Sequence, residues 1–442
     1  MSRSEVDRAS PADRAFLAMG TGAAPVQFGV LLLLGRAGGL DLARVRQLIG
    51  ERVPAVPRLR RRLVPAPWGG GGPIWVDDPG FDVRRHVRAS VCAPPGDRQA
   101  VLDTALSLVS TPLPRDGAPW SATFVTGLAG GEAGLVVVLD HVLADGVGGL
   151  AVLARLVDGG PGAAAVPFPQ PRPGPAALVR DALIGRARSV RRLRPAVRAL
   201  CASTAAAGGL HPPRATPCSL LGPASPRRRL AVVRADLARL RAAAHRHGAS
   251  VNDAVLVAVA GALHRLLLAR QEDVRTFAIA VPVSGRVAAD APHLGNAVSP
   301  LLVTVPGTGD VAGRLARAAA GVRAAKAAAA GPPPIAVLGP LFRSLAALGG
   351  YRWYMNHQHR MHTLVSHVRG PAGPVTFGGV PVGEAIPLSV GESGNLTVVF
   401  EVLTYAGSLV ISVLADATRC QDLDVLLDGL AEELALVCGE SR

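Results

Sequence analysis

The 442-residue chain is short of cysteine, lysine and aromatic residues, and each shortage excludes something. The five cysteines (Cys92, Cys201, Cys218, Cys420, Cys438) are dispersed and include no C-x-x-C pair. That argues against a disulfide scaffold or a zinc site and fits a reducing cytoplasm. Aromatics make up 4% of residues, too few to interleave with the basic residues as a nucleic-acid surface requires, so no nucleic-acid partner is expected. Charged residues are 18% against 49% hydrophobic, which excludes a solvated, disordered chain. No uninterrupted apolar run of about 18 residues exists to cross a bilayer. The best candidate, Ala254–Leu268, is broken by His264 and Arg265, and the N-terminal stretch lacks the apolar core of a signal peptide. The expectation is a cytoplasmic protein, at most peripheral on the inner membrane face or on lipid droplets.

What the chain has is arginine. Lys326 is its single lysine, yet the formal net charge is +15. The Arg/Lys ratio reflects the same compositional bias as the many alanines and glycines, but the charge itself attracts anions. Apolar runs alternate between strand-like and helical periods in both halves, which predicts an α/β architecture of two lobes, each with a mixed sheet. In the first half, strands are predicted at 25–34 and 135–139 and helices at 41–53, 94–108 and 146–156. The second half predicts strands at 229–234, 276–281, 299–305, 362–368, 396–403 and 409–414. Its helices are predicted at 236–247, 250–268, 310–330, 335–354 and 423–438. Between the halves, Pro161–Pro175 carries six prolines, and 176–201 repeats apolar residues at helical spacing with arginines opposite. The domain reading is therefore an N-terminal lobe over 1–160, a Pro/Arg-rich linker with an amphipathic helix over 161–228, and a C-terminal lobe over 229–442. The Arg-rich helix suits either an anionic membrane or a solvated linker.

The chemistry concentrates in Asp140-His141-Val142-Leu143-Ala144-Asp145-Gly146. An apolar strand delivers a histidine to its end; a turn with an aspartate and glycines follows, then a helix. An imidazole titrates near neutrality and suits general-base work. Asp145 can brace the turn, and Gly146, Gly148 and Gly149 permit close approach of a substrate. A second histidine group, His357, His359, His362 and His367, lacks acidic or cysteine neighbours, so no metal site is expected.

Several segments, in order, resemble the bacterial wax ester synthase/acyl-CoA:diacylglycerol acyltransferase family of the CoA-dependent acyltransferase superfamily. They are Ser10-Pro11-Ala12-Asp13 with Phe16-Leu17, Pro112-Leu113-Pro114 through Pro119-Trp120, and the H-x-x-x-D-G core at His141–Gly146. Downstream come Asn252-Asp253, Val281-Pro282-Val283-Ser284-Gly285-Arg286, Leu294-Gly295-Asn296 and Ser366-His367-Val368-Arg369-Gly370-Pro371. The resemblance spans about residues 10–437. It implies a two-lobed chloramphenicol-acetyltransferase-like fold with His141 as the base, and acyl-CoA as co-substrate with no further cofactor. The acceptor it implies is diacylglycerol or a long-chain alcohol. It also implies that Asn252 stands near the oxyanion, that Asp145 pairs with Arg286 in support of the site together with Gly146, and that Asp140, Asp253 and Ser366 face substrate. Two positions depart from the family pattern: Asp140 replaces its first motif histidine, and His367 replaces an asparagine. A same-fold enzyme with another acceptor, of the condensation type, and a catalytically weak lipid-binding paralogue remain as alternatives.

Overall fold

The computed structural model describes residues 6–20, 24–36, 38–160, 167–206, 214–284, 294–296, 298–328, 334–391 and 394–440. The first half contains α1 (Pro11–Met19), β1 (Gln27–Leu34), α2 (Leu42–Arg52), a hairpin of β2 (Arg61–Val64) and β3 (Ile74–Asp77), and α3 (Val83–His86). It continues through β4 (Val87–Val91), α4 (Arg98–Ser110), β5 (Trp120–Thr126), β6 (Ala133–Asp140) and α5 (Gly146–Leu156). The long α6 (Pro175–Ala206) leads into β7 (Arg228–Asp236), α7 (Leu237–Arg246), α8 (Val251–Ala269), β8 (Thr276–Ser284) and β9 (Val298–Pro306). Then come α9 (Val311–Ala328), α10 (Pro334–Ala347), α11 (Gly350–Asn356), β10 (Thr363–Arg369), β11 (Thr376–Phe377) and β12 (Val380–Ser389). The chain closes with β13 (Val398–Tyr405), β14 (Ser408–Asp416) and α12 (Leu423–Cys438).

Two six-stranded sheets organise the lobes, in the orders β11-β12-β1-β6-β5-β4 and β7-β14-β13-β10-β8-β9. Both are mixed: β4 and β5 run parallel in the first, and β10 runs parallel to β13 and β8 in the second, while the other pairings are antiparallel. The run Leu135-Val-Val-Val-Leu139 forms β6 because β-branched residues fit a strand buried on both faces, and only Asp140 of that strand escapes full burial. The sheets do not follow the boundary at residue 229 drawn from the sequence. β12, from the C-terminal segment, pairs antiparallel with β1 from Phe28↔Ser389 to Leu34↔Val382 and so belongs to the first sheet. One apolar cluster accordingly draws on both sheets, with Leu31, Val138 and Ile386 packed alongside Val399 and Val410.

The second lobe is centred on α8, which is apolar nearly all round and buried from Asp253 to Leu263. Length and composition alone would let it cross a membrane, yet here it is a core helix. Glu433 of α12 lies against it, paired with Arg314 at 2.7 Å and with Arg265 at 3.0 Å. A Cβ at Gly261 would fall 2.3 Å from the Glu433 carboxylate, so only glycine fits there. Two predicted helices shift. The one placed at 94–108 begins at Arg98 because Asp97 caps it, accepting from Ala100 N. The one placed at 335–354 divides into α10 and α11 because Gly349 sits at φ 80°, a left-handed conformation that ends a helix. The arginine run at 58–62 is largely engaged: Arg58 and Arg61 pair with Asp7, and Arg61 also with Asp77.

Candidate active site

Between the lobes lies a cavity of about 1230 Å³. Its wall takes Phe28 and Val137 from the first sheet, the start of α5, Asn252 from α8, Val281 from β8, and Ser366, His367 and Arg369 from β10. His141 lines it too.

The local sequence explains how His141 is presented. Its backbone N–H donates to Val26 O at 3.1 Å, the last rung of the β1–β6 ladder. The Asp140 carboxylate then accepts from Val142 N at 2.8 Å, folding the chain into a turn. Asp145, 1% exposed, caps α5 by accepting from Gly148 N at 2.8 Å. The imidazole sits between two phenylalanines. Phe16 of α1 stacks on it at 4.7 Å and 9°, and Phe28 of β1 lies at 4.6 Å and 40°. Gly149 leaves room for this, since a Cβ there would fall 2.7 Å from the Phe28 ring. Desolvation in that apolar slot lowers the pKa of His141 from 6.5 to about 4, against an opposing pull from the Asp145 charge. The ring is therefore neutral at pH 7, the form a proton acceptor needs. Its Nδ1 is buried and hydrogen-bonds no described group.

A further network holds the histidine backbone. Asn296 Nδ2 donates to His141 O and, at 2.8 Å, to Asp13 Oδ1, which also accepts Asn296 N at 3.0 Å. Asp13, 1% exposed, is at the same time the capping-box acid of α1, accepting from Ser10 N at 2.9 Å. Three segments distant in sequence thus converge on one loop. Sequence reasoning quoted Asp13 and Asn296 within motif segments but gave them no role. Phe16 stands in the first motif segment, also without a role, and Phe28 gives no signal, being indistinguishable from a core residue.

The structure sorts the other site candidates. Asn252 and Ser366 are on the cavity wall, and Gly146 lies where β10 passes, a Cβ there falling 2.9 Å from Val368 Cγ2. Asp140 and Asp253 are not among the residues that line the cavity. Asp140 is spent on its turn, because a chain leaving a strand this tightly needs an acceptor for its freed N–H. Asp253 completes the capping box of α8 with Ser250, satisfying backbone donors at the helix start. Arg286 lies outside the described residues. The second histidine group disperses. His362 is a buried structural residue accepting from Ala278 N and bonded to Thr216 O, and His357 stacks on Trp353; His367 is the member that reaches the cavity.

The wax ester synthase/diacylglycerol acyltransferase catalytic domain matches residues 9–255, and the WS/DGAT C-terminal domain matches residues 294–437. The chain belongs to the wax ester synthase/diacylglycerol acyltransferase family. It is an acyltransferase of that family, with the fold expected of it. Two similar Mycobacterium tuberculosis proteins, both provisionally named diacylglycerol O-acyltransferase, extend over most of its length. One, from strain CDC 1551, is 28% identical, covering 99% of this chain and 91% of its own. The other, from strain H37Rv, is 26% identical, covering 89% and 87%. Among solved structures, a wax ester synthase/diacylglycerol acyltransferase from Marinobacter aquaeolei VT8 superposes with a TM-score of 0.68 at 20% identity, over 98% of this chain and 100% of that one. The first condensation domain of the calcium-dependent antibiotic synthetase follows at 0.66 and 18%, over 99% and 97%. At these identities the two structures speak for the fold alone.

Proposed function

We propose that this member of the family moves a long-chain acyl group from acyl-CoA to the free hydroxyl of diacylglycerol, with long-chain alcohols as a second acceptor class. The observation that carries the reading is a neutral imidazole, His141, on the wall of a largely apolar cavity between the lobes. A water-insoluble acyl chain and a hydroxyl can meet there, and proximity supplies much of the rate. His141 takes the hydroxyl proton as the oxygen attacks the thioester carbonyl. The tetrahedral intermediate then expels the CoA thiolate, which takes that proton back from the imidazolium. The products are an ester and free CoA. The Asn252 amide is the donor offered to the oxyanion, and Asp145 with Gly146 keeps the loop and helix start in place. Acyl-CoA enters as co-substrate and the reaction needs no further cofactor. Ser366 contributes a hydroxyl to the substrate wall.

The acceptor's insolubility favours work at a lipid surface on the cytoplasmic side. In support, α6 exposes Leu183, Ile184 and Val190 together with arginines such as Arg186, Arg188 and Arg191. Flotation with anionic vesicles should capture the protein, and equal capture by neutral vesicles would refute an electrostatic dock. The main test is purified protein with palmitoyl-CoA and a panel of alcohols, following thiol release and lipid product. His141→Ala should lower turnover by about 10²–10⁴-fold while the protein remains folded. Unchanged turnover would remove the mechanism.

A further inference from the structure

The acyl-transfer chemistry above makes no use of His367, although the side chain stands on the cavity wall. It lies on β10, paired with Val402 of β13 and followed by Val368, the residue that approaches Gly146 at the start of α5. The strand passes the start of α5 at Val368, and His367 stands one residue before that contact, on the cavity wall. Its Nε2 is buried with no hydrogen-bond partner among the described residues. Buried nitrogens are nearly always paired, and an orphan on the wall of a substrate cavity marks a place where a ligand supplies the partner. Burial, reinforced by the neighbouring Arg369 charge, lowers the pKa of His367 to about 4, so the ring is a neutral imidazole at pH 7. Such a ring carries one N–H donor, one acceptor nitrogen and no charge, so it can donate to a neutral oxygen acceptor.

The two acceptor classes differ in this respect. A diacylglycerol carries ester carbonyls beside its reacting hydroxyl; a simple long-chain alcohol carries the hydroxyl alone. We infer that His367 is a specificity-determining residue whose ring N–H binds an ester carbonyl of the acceptor, selecting glycerolipids over simple alcohols. The inference rests on the acyl-transfer reading and names the acceptor feature recognised at that site. Leucine at 367 fills similar space and offers no donor. Asparagine offers one.

The experiment compares wild type, His367→Leu and His367→Asn, each with palmitoyl-CoA, using dioleoylglycerol or hexadecanol in the same mixed micelles. Thiol release gives kcat/KM for each acceptor, and retention of radiolabelled dioleoylglycerol gives binding. The dioleoylglycerol-to-hexadecanol ratio of kcat/KM should fall roughly three- to tenfold in His367→Leu, the worth of one neutral hydrogen bond. It should stay within about twofold of wild type in His367→Asn, and dioleoylglycerol retention should weaken in the leucine variant alone. An unchanged or increased ratio, or an equal fall with both acceptors, would overturn the assignment. Wild type that turns over neither acceptor would instead refute the acyl-transfer reading, and dioleoylglycerol retention would then decide the role of His367 by itself. His367→Phe, which keeps a planar ring, reads the same ratio if the leucine variant misfolds.

Discussion

Protonating His141 is the most direct perturbation of the site, and the structure sets its size. In the unfolded chain the imidazole takes up a proton near pH 6.5; between Phe16 and Phe28 it resists until about 4. The gap of about 2.5 units corresponds to about 3–4 kcal/mol at roughly 1.4 kcal/mol per unit. Between those limits the unfolded state binds more protons than the native state, so stability rises with pH. The contribution is complete above pH 6.5 and is lost as pH falls toward 4. At pH 5 the deficit from this one ring is about 2 kcal/mol. Two assays follow. The acid limb of kcat/KM reports the free enzyme, so activity should stay flat from pH 8 to about 5 and fall with a midpoint near 4. Urea unfolding at pH 7 and pH 5 should show wild type losing about 2 kcal/mol more than His141→Gln, which has no proton to gain. An acid limb centred near 6.5, with equal losses in both proteins, would mean that the ring is solvated and would refute the apolar slot as the cause.

Three further outcomes are expected. Asn252→Ala should reduce kcat by about 10²-fold with little change in KM if its amide meets the oxyanion; an unchanged kcat would leave it a first-turn residue of α8 with no part in the chemistry. Asn296→Ala removes the donor to His141 O and should lower kcat roughly tenfold at nearly constant Tm, since Asp13 keeps its Ser10 bond. A matching fall in Tm would make Asn296 structural only. Glu433→Ala strands Arg314, which is 3% exposed, and should cost about 3–5 kcal/mol in urea unfolding without altering kcat of the folded fraction.

The parts that local chemistry dictates were legible in the sequence. β6 announces itself by five apolar residues in a row, and α5 by an aspartate followed by a helical pattern, so the loop between them, with His141 and Asp145, could be placed before any coordinates. A carboxylate near a motif reads alike whether it meets substrate or a backbone N–H; the geometry adds that Asp140 Oδ1 and Asp253 Oδ2 accept from backbone N–H groups of their own turns. β12 stayed hidden because Pro381, Gly383 and Pro387 punctuate it, and its extended form comes from pairing with β1, about 350 residues earlier. Asp13 and Asn296 stayed without a role for the same reason: their partner is brought to them by the fold, 283 residues away along the chain.

The place of β12 bears on how the protein is made. Until residue 389 leaves the ribosome, one flank of Val30-Leu-Leu-Leu-Leu34 has no strand beside it. Translation from residue 140, where β6 ends, to residue 389 takes roughly 12–50 s at about 5–20 residues per second. For that interval an oily ribbon with unmet amides is open to pairing with other nascent chains. A cell that makes this acyltransferase must shelter β1 while it waits, and clones ending short of residue 389 should accumulate as inclusion bodies.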